Sequence, residues 1–172
     1  NPKRYVLLSH TLDPRTGMGA FKSYFLHLHN WLKAHPIDDV LAMPEVSERV
    51  QTLQKSETGF RKSLMKHSKQ TGNVVVTDFR RLAKRPVGNR FLIYALFPSA
   101  NVSIMLFKGK GDDTIVAALG HSILNRSCST HVGELARRFG GGGHRGAATC
   151  QLNRAKSTKE VEKLVGILEA NG

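Results

Sequence analysis

The sequence predicts an α/β fold, in which a mixed five-stranded sheet with flanking helices follows a helical N-terminal extension. Two observations carry this prediction. Apolar residues recur at helical spacing before residue 70, whereas short β-branched or alternating apolar runs dominate after residue 73. With 172 residues, the chain fits one medium domain or a small domain plus an extension. We therefore predict a helical segment over residues 1–70 and an α/β domain over residues 71–172.

The N-terminal segment is predicted to hold one strand and three helices. Tyr5–Ser9 is a short apolar run typical of a buried strand, and proline and glycine residues mark a loop after it. Helical spacing then predicts helices over 20–34, over 37–43 and from Pro44 to about Lys69. The last of these has apolar residues at the a and d positions of a heptad, and we interpret it as a linker helix.

The strands of the α/β domain are predicted from five apolar runs, two of which form a hairpin around a turn. They are expected at Val74–Val76, at Phe91–Phe97 and Val102–Phe107 as the hairpin, at Thr114–Gly120 and at Gly146–Leu152.

Two helices are predicted to flank this sheet. The first covers His131–Phe139 and has Ser129 or Thr130 as its N-cap. The second opens with Ser157 and Glu160, which are spaced as a capping box before an apolar helical pattern.

Positive charge is concentrated in the C-terminal two thirds of the chain. Residues 1–60 carry a net charge of +1, and residues 61–172 carry +12, from nineteen lysines and arginines against seven acidic residues. Nine of these cations lie between residues 61 and 90, where Asp78 is the one acidic residue. Such asymmetry favours a polyanionic partner, nucleic acid or a nucleotide, bound at its phosphates. A basic solvated face without a ligand is the alternative.

Four consecutive glycines, Gly140–Gly143, precede His144 and Arg145. Glycine is used where the backbone adopts positive φ or approaches a ligand closely, so we expect Gly140 as a left-handed helix cap. The next three glycines are expected to form a loop whose amides converge on an anion. His144 adds a hydrogen-bond donor, and Arg145 can bind a phosphate through two hydrogen bonds.

Asn125 and Arg126 are expected to close the preceding strand, at the end of the sheet that carries the glycine loop. The predicted phosphate-binding site therefore consists of Asn125, Arg126, Gly141, Gly142, Gly143, His144 and Arg145. A flexible glycine hinge and a surface arginine at a strand end are the structural alternatives.

No catalytic set can be assembled from local spacing. The sequence holds no recognisable Ser-His-Asp or zinc motif, and its thirteen acidic residues do not cluster as two metal ions require. Cys128 and Cys150 lack metal-binding spacing and are expected to be reduced thiols in a cytoplasmic protein, with a disulfide as the alternative. No apolar run is long enough to span a membrane, and no membrane partner is expected.

The run Gly140–His144, with Asn125-Arg126 upstream and Gly146–Ala148 downstream, resembles the accessory domain of the DHH phosphoesterase family. The resemblance covers residues 70–172. The family includes single-strand exonucleases, nanoRNA and cyclic-dinucleotide phosphodiesterases and exopolyphosphatase-related proteins, and the last branch is the most similar. There the accessory domain binds the terminal phosphate or base of the substrate, beside a catalytic domain that holds two manganese ions.

The resemblance implies that Gly141, Gly142, Gly143 and His144 form a substrate loop and that Arg126 binds the phosphate. Residues 1–70 look similar to the end of the catalytic domain plus a linker helix. Asp13-Pro-Arg-Thr-Gly17 resembles the Asp-Thr-Gly metal motif of the family with two residues inserted, which implies Asp13 as a ligand of manganese or magnesium.

The sequence contains no Asp-His-His run and begins with Asn-Pro rather than Met. We therefore expect an inactive fragment of a manganese-dependent hydrolase whose catalytic domain precedes it. Two alternatives stay open: a stand-alone nucleic-acid-binding module, and a dimerisation piece of a homodimeric parent. The substrate also stays open between oligoribonucleotide, single-stranded DNA, cyclic dinucleotide, polyphosphate and a small phosphoester.

Overall fold

The computed structural model describes residues 4–12, 21–111 and 113–170. The chain divides into two compact units, the first formed by residues 1–62 with 86–89 and the second by residues 63–85 with 90–172. The domain boundary expected between residues 70 and 71 stays a prediction. Within the described residues, no helix is long and apolar enough to cross a membrane.

The first unit is helical. Its helices are α1 (Tyr5–His10), α2 (Phe21–Ala34), α3 (Ile37–Ala42) and α4 (Pro44–His67), the last of which continues beyond the unit. Their apolar sides enclose a core of Leu8, Tyr24, Leu28, Ile37, Val40 and Val46. The three helices predicted from helical spacing are therefore confirmed.

The prediction of a strand at Tyr5–Ser9 is wrong, because this segment belongs to helix α1. Leu8 is buried, whereas Tyr5 and Val6 are exposed. A run of four apolar residues fits one turn of a helix as well as a strand, and periodicity cannot separate the two over so short a length.

The second unit is built around a six-stranded mixed sheet. The strands are β1 (Ser68–Thr71), β2 (Val74–Asp78), β3 (Val102–Lys108), β4 (Thr114–His121), β5 (Gly142–His144) and β6 (Ala147–Asn153). Their order in the sheet is β1-β2-β3-β4-β6-β5, and β2 and β3 are the parallel pair in an otherwise antiparallel arrangement. The predicted α/β class is confirmed, with six strands instead of five.

Two helices, α6 (Val132–Arg137) and α7 (Ser157–Ala170), cover one face of this sheet. Alternate residues of the central strands point to that face, as the period of a strand requires. Together they form one apolar core, whose fully buried members include Ile104, Leu106, Ala117, Leu119, Cys150, Leu152, Leu135, Leu164 and Leu168.

Phe91–Phe97 was predicted as the first strand of a hairpin and instead contains helix α5 (Leu92–Leu96). Within α5, the adjacent residues Ile93 and Tyr94 are both buried while Ala95 is exposed. This is the burial pattern of a helix rather than the alternation of a strand. Parallel neighbouring strands need a crossover connection, and the segment with α5 supplies it between β2 and β3.

The strands β1 and β5 were not predicted from the sequence. β1 reads Ser-Lys-Gln-Thr and β5 reads Gly-Gly-His, so neither contains the apolar run by which a strand is recognised. Both lie at edges of the sheet, where hydrogen bonding to one neighbour forms the strand without burying an apolar face.

Helix α6 begins after His131, whose Nδ1 accepts a hydrogen bond from the amide of Glu134 at 3.1 Å. Ser129 and Thr130 were therefore wrong as N-caps. A ring nitrogen of His131 supplies the acceptor that a serine or threonine oxygen usually provides at this position.

Three of the four consecutive glycines are required by the backbone itself. Gly140 has φ +71°, which confirms the predicted left-handed cap of α6. A Cβ atom at Gly141 would lie 2.5 Å from a Cα atom of β6, and one at Gly143, where φ is +153°, would meet β6 at the same distance. Gly142 faces open space.

Helix α6 approaches strand β5 with no side chain between them. A Cβ atom at Gly133 of α6 would lie 2.5 Å from the carbonyl oxygen of Gly143. Strand β5 is therefore in main-chain contact with both α6 and β6, which requires glycine at position 133 of α6 and at position 143 of β5.

Gly141→Ala is expected to lower the free energy of unfolding by about 1–3 kcal/mol, because the added methyl group overlaps the backbone of β6. Gly142→Ala is the matched control, since nothing lies within 4 Å of the added atom. It should be neutral or slightly stabilising, because alanine restricts the unfolded chain. Urea unfolding of both variants measures the difference, and equal stabilities would contradict the packing role of Gly141.

Candidate functional site

Helix α5 covers strands β3 and β4 on the face of the sheet opposite α6 and α7. We call this the open face, because its part over β5 and β6 is exposed. The hydroxyl of Tyr94 donates to the carbonyl of Gly120 at 2.7 Å and lies 2.7 Å from the hydroxyl of Ser103. Burial raises the pKa of Tyr94 to about 12, so the hydroxyl keeps its proton at neutral pH and acts as a donor.

Beyond this covered part, β6 and β5 present exposed side chains on the open face. His144 pairs with Ala147, which pairs with Gly120, and Gly142 pairs with Thr149 in the next row. Directly paired residues point to the same face of a sheet. Because His144, Ala147 and Thr149 are exposed, this region is a shelf of small side chains bordered by an imidazole. We call it the open shelf.

The loop between β4 and α6, residues 122–131, leaves the sheet at the end that carries the β5–β6 turn. At its start, the amide of His121 donates to the carbonyl of Gly146 at 2.9 Å. At its other end, the amide of Val132 donates to the carbonyl of Arg145 at 3.0 Å. The β4–α6 loop is thus attached to the turn at both ends.

Asn125 was predicted to contribute to phosphate binding, and in the structure it holds the β4–α6 loop. Its Nδ2 donates to the carbonyl of Ser99 at 3.1 Å, and its Oδ1 accepts from the amide of Ser127 at 3.3 Å. The buried Asn101 donates in turn to the hydroxyl of Ser127 at 2.9 Å. The Asn125 amide therefore links the β4–α6 loop to the segment between α5 and β3, and its role in phosphate binding stays a prediction.

Arg126 is exposed and lies in the loop rather than at a strand end, because β4 ends at His121. Its Nε donates to the carbonyl of Ile123 at 3.4 Å. Arg145, also exposed, donates to a carbonyl of the same loop, that of Ser129, at 3.4 Å. Arg126, Arg145 and His144 therefore belong to exposed segments at one end of the sheet, and their binding role stays a prediction.

The glycine run does not form the predicted loop with converging amides. Residues 142–144 are strand β5, and successive amides of an extended strand point in opposite directions. What the glycines provide is a backbone close to β6 and α6 with no side chain at Gly142 to cover the open shelf.

His121 links the segments of this site and was missed by the sequence analysis. Its Nε2 donates to the carbonyl of Thr130 at 2.9 Å, near the end of the β4–α6 loop. Its ring also faces Gly146, where a Cβ atom would lie 3.6 Å from Nδ1. A single histidine at a strand end has no recognisable signal in a sequence, so only the fold identifies this role.

Several cations of the basic segment 61–90 have partners within the second unit. Arg80 lies 2.6 Å from Asp78 and donates to the hydroxyl of Ser157 at 3.0 Å. Arg85 stacks 4.0 Å over the ring of Phe107. Their charge is therefore used in part to stabilise the fold, whereas exposed cations of the segment include Lys66, Lys69, Arg81 and Lys84.

Asp13, the predicted metal ligand, lies outside the described residues. Among the residues that are described, no group of three or more histidine, cysteine, aspartate or glutamate side chains is arranged to hold a metal ion. The described part of the chain therefore does not fit a manganese centre by itself. Cys128 and Cys150 are free and buried in the structure, and their redox state stays a prediction.

The chain is similar in structure and sequence to the pGpG-specific phosphodiesterase PggH from Vibrio cholerae, with 35% identity and a TM-score of 0.87. The similarity covers 100% of this chain and 60% of PggH, so the chain spans less than two thirds of that relative. No protein-family model and no curated protein matches the sequence.

Two other solved structures share the fold at lower identity. An exopolyphosphatase-related protein from Bacteroides fragilis is 16% identical with a TM-score of 0.56, over 88% of this chain and 45% of that one. The DHH domain of a member of the S1p family of ribosomal proteins is 14% identical with a TM-score of 0.51, over 73% and 34%. The resemblance found in the sequence is confirmed at the level of the fold, which the chain shares with an exopolyphosphatase-related protein and a DHH domain.

His121→Ala is expected to increase amide hydrogen exchange in residues 122–130, because the carbonyl of Thr130 loses its donor. The free energy of unfolding should fall by about 1 kcal/mol, the contribution of a typical hydrogen bond. His144→Ala removes the same side chain from the exposed shelf and should leave this exchange unchanged. Mass spectrometry of exchanged peptides tests both, and similar protection in the two variants would contradict the anchoring role.

Proposed function

We propose that this chain is the substrate-binding part of a metal-dependent DHH-family phosphoesterase and that it binds short, linear, 5′-phosphorylated dinucleotides. The observation that carries the proposal is the similarity to a pGpG-specific phosphodiesterase at 35% identity over the whole of this chain. The exposed Arg126, His144 and Arg145 at one end of the sheet supply donors suited to a phosphate group.

The open shelf explains how a ligand would reach these donors. Ala147, Thr149 and Gly142 leave the face low beside the imidazole of His144, so a sugar-phosphate backbone can lie against the sheet. Arg126 and Arg145 then approach from the β4–α6 loop and the β5–β6 turn. A guanidinium group offers a phosphate two parallel hydrogen bonds, whereas the imidazole offers one.

The catalytic chemistry of the proposed enzyme requires residues beyond those described. We propose that manganese or magnesium ions are held by a catalytic domain, with Asp13 as a contributing ligand, and that the protein works in the cytoplasm. Such metal ions would activate a water and stabilise the charge of the phosphoryl group. The part of the chain described by the structure would bind and orient the substrate.

Arg126→Ala and His144→Ala are each expected to weaken binding of pGpG about tenfold, which corresponds to about 1.4 kcal/mol. Lys159→Ala is the control, since it removes an exposed charge from α7, on the opposite face of the sheet. Calorimetric titration of the 172-residue chain at one fixed salt concentration measures the three affinities. Unchanged affinity in both site variants would refute the assignment.

The 172-residue chain is expected to bind pGpG without hydrolysing it, even with manganese present. The described residues contain no cluster of side chains arranged to hold a metal ion. They would therefore not position a metal ion that activates the attacking water. Chromatography of the reaction, with PggH as the positive control, detects guanosine monophosphate as the product. Product formation that scales with this chain and is lost in His144→Ala would overturn the division between binding and catalysis.

A further inference from the structure

The β4–α6 loop holds two adjacent aliphatic side chains in solvent. Ile123 is 46% exposed and Leu124 is 61% exposed. The hydroxyl of Ser122 accepts the amides of Leu124 at 3.1 Å and Asn125 at 3.0 Å, and the amide of Ser122 donates to the carbonyl of Asn101 at 2.8 Å. The backbone is therefore fixed by hydrogen bonds on both sides of the exposed apolar pair, so the exposure does not arise from a frayed loop.

Single exposed apolar residues are common on protein surfaces, whereas a contiguous apolar patch bordered by polar groups is typical of interaction sites. Ile123 and Leu124 form a small patch of this kind, and Arg126 follows two residues after Leu124. The Nε of Arg126 donates to the carbonyl of Ile123 at 3.4 Å, which keeps the guanidinium at the same turn. One short turn thus offers a cation and an apolar surface together.

A nucleotide presents the two complementary groups, since its phosphate is anionic and its base has a flat, weakly polar face. A polyphosphate or a small phosphoester without a base would contact the guanidinium and leave the aliphatic pair in water. The chemistry of the turn therefore distinguishes between ligands that the charge of the chain alone does not separate.

We propose that Ile123 and Leu124 form a subsite that contacts a base of the bound dinucleotide while Arg126 binds its phosphate. This subsite rests on the proposed function, since it assigns the apolar part of the same ligand. It restricts the substrate class to phosphorylated compounds that carry a base. The base packs against aliphatic side chains, so the contact depends on surface area and is tolerant of base identity.

Leu124→Ala and Ile123→Ala test the subsite with two probes, pGpG and a 5′-phosphorylated dinucleotide that lacks both bases. Each variant is expected to weaken pGpG binding about fivefold and to change binding of the abasic probe less than twofold. Leu124→Phe should retain or strengthen pGpG binding, because it preserves the apolar surface. Met65→Ala is the matched control, since Met65 lies on α4 and is 55% exposed.

Calorimetric titration of the full 172-residue chain gives the affinities, and circular dichroism verifies that each variant is folded. Equal losses for the two probes, or no loss for pGpG, would overturn the subsite. A change in oligomeric state at unchanged affinity would overturn it in favour of a contact between copies. If Arg126→Ala weakens both probes while Leu124→Ala affects neither, the subsite alone fails. If Arg126→Ala, His144→Ala and Leu124→Ala all leave the binding of both probes unchanged, the subsite and the proposed function both fail.

Discussion

Direct contact between main chains organises the end of the sheet where the candidate site lies. Strand β5 and the preceding Gly141 pack against β6, with Gly143 as the contact within the strand, and α6 meets β5 at Gly133; none of these three glycines has room for a Cβ atom. This close packing sets the position of His144, the last residue of β5, and of the turn that follows it. The glycine run therefore serves close packing at Gly141 and Gly143, whereas a Cβ atom at Gly142 would meet nothing within 4 Å.

The two faces of the sheet have different roles. One face is sealed by α6 and α7 over a continuous apolar core, which supplies the stability of the second unit. The other is closed by Tyr94 over β3 and β4 and exposed over β6 and β5. The exposed part contributes nothing to the apolar core, which lies on the other face.

Sequence patterns predicted the features that depend on burial or on glycine conformation. The helical spacing of α2 and α4, the β-branched run of β2 and the left-handed Gly140 all have local causes, and each is confirmed. Two of the errors have tertiary causes. Phe91–Phe97 became a crossover helix because β2 and β3 are parallel, and β5 exists because β6 accepts it as a neighbour.

Sequence analysis also named the residues of the candidate site without separating their roles. Asn125 and Arg126 are adjacent in the chain, yet Asn125 bonds across to Ser99, before β3, whereas Arg126 is exposed and bonds only to the nearby carbonyl of Ile123 among the contacts described. His121 has no distinguishing neighbours in the sequence, and its hydrogen bond to Thr130 follows only from where β4 ends. Such roles depend on which atoms the fold brings within hydrogen-bonding distance.

Strand β5 is also a border of the sheet, and its brevity has a consequence for self-association. It has three residues, and β1 at the opposite border has four, including the exposed Lys69. Short or charged borders give an incoming strand from another molecule little to pair with, which disfavours fibril growth. A molecule that leaves β5 and β6 exposed on one face of its sheet is thus protected from aggregation at the two edge strands.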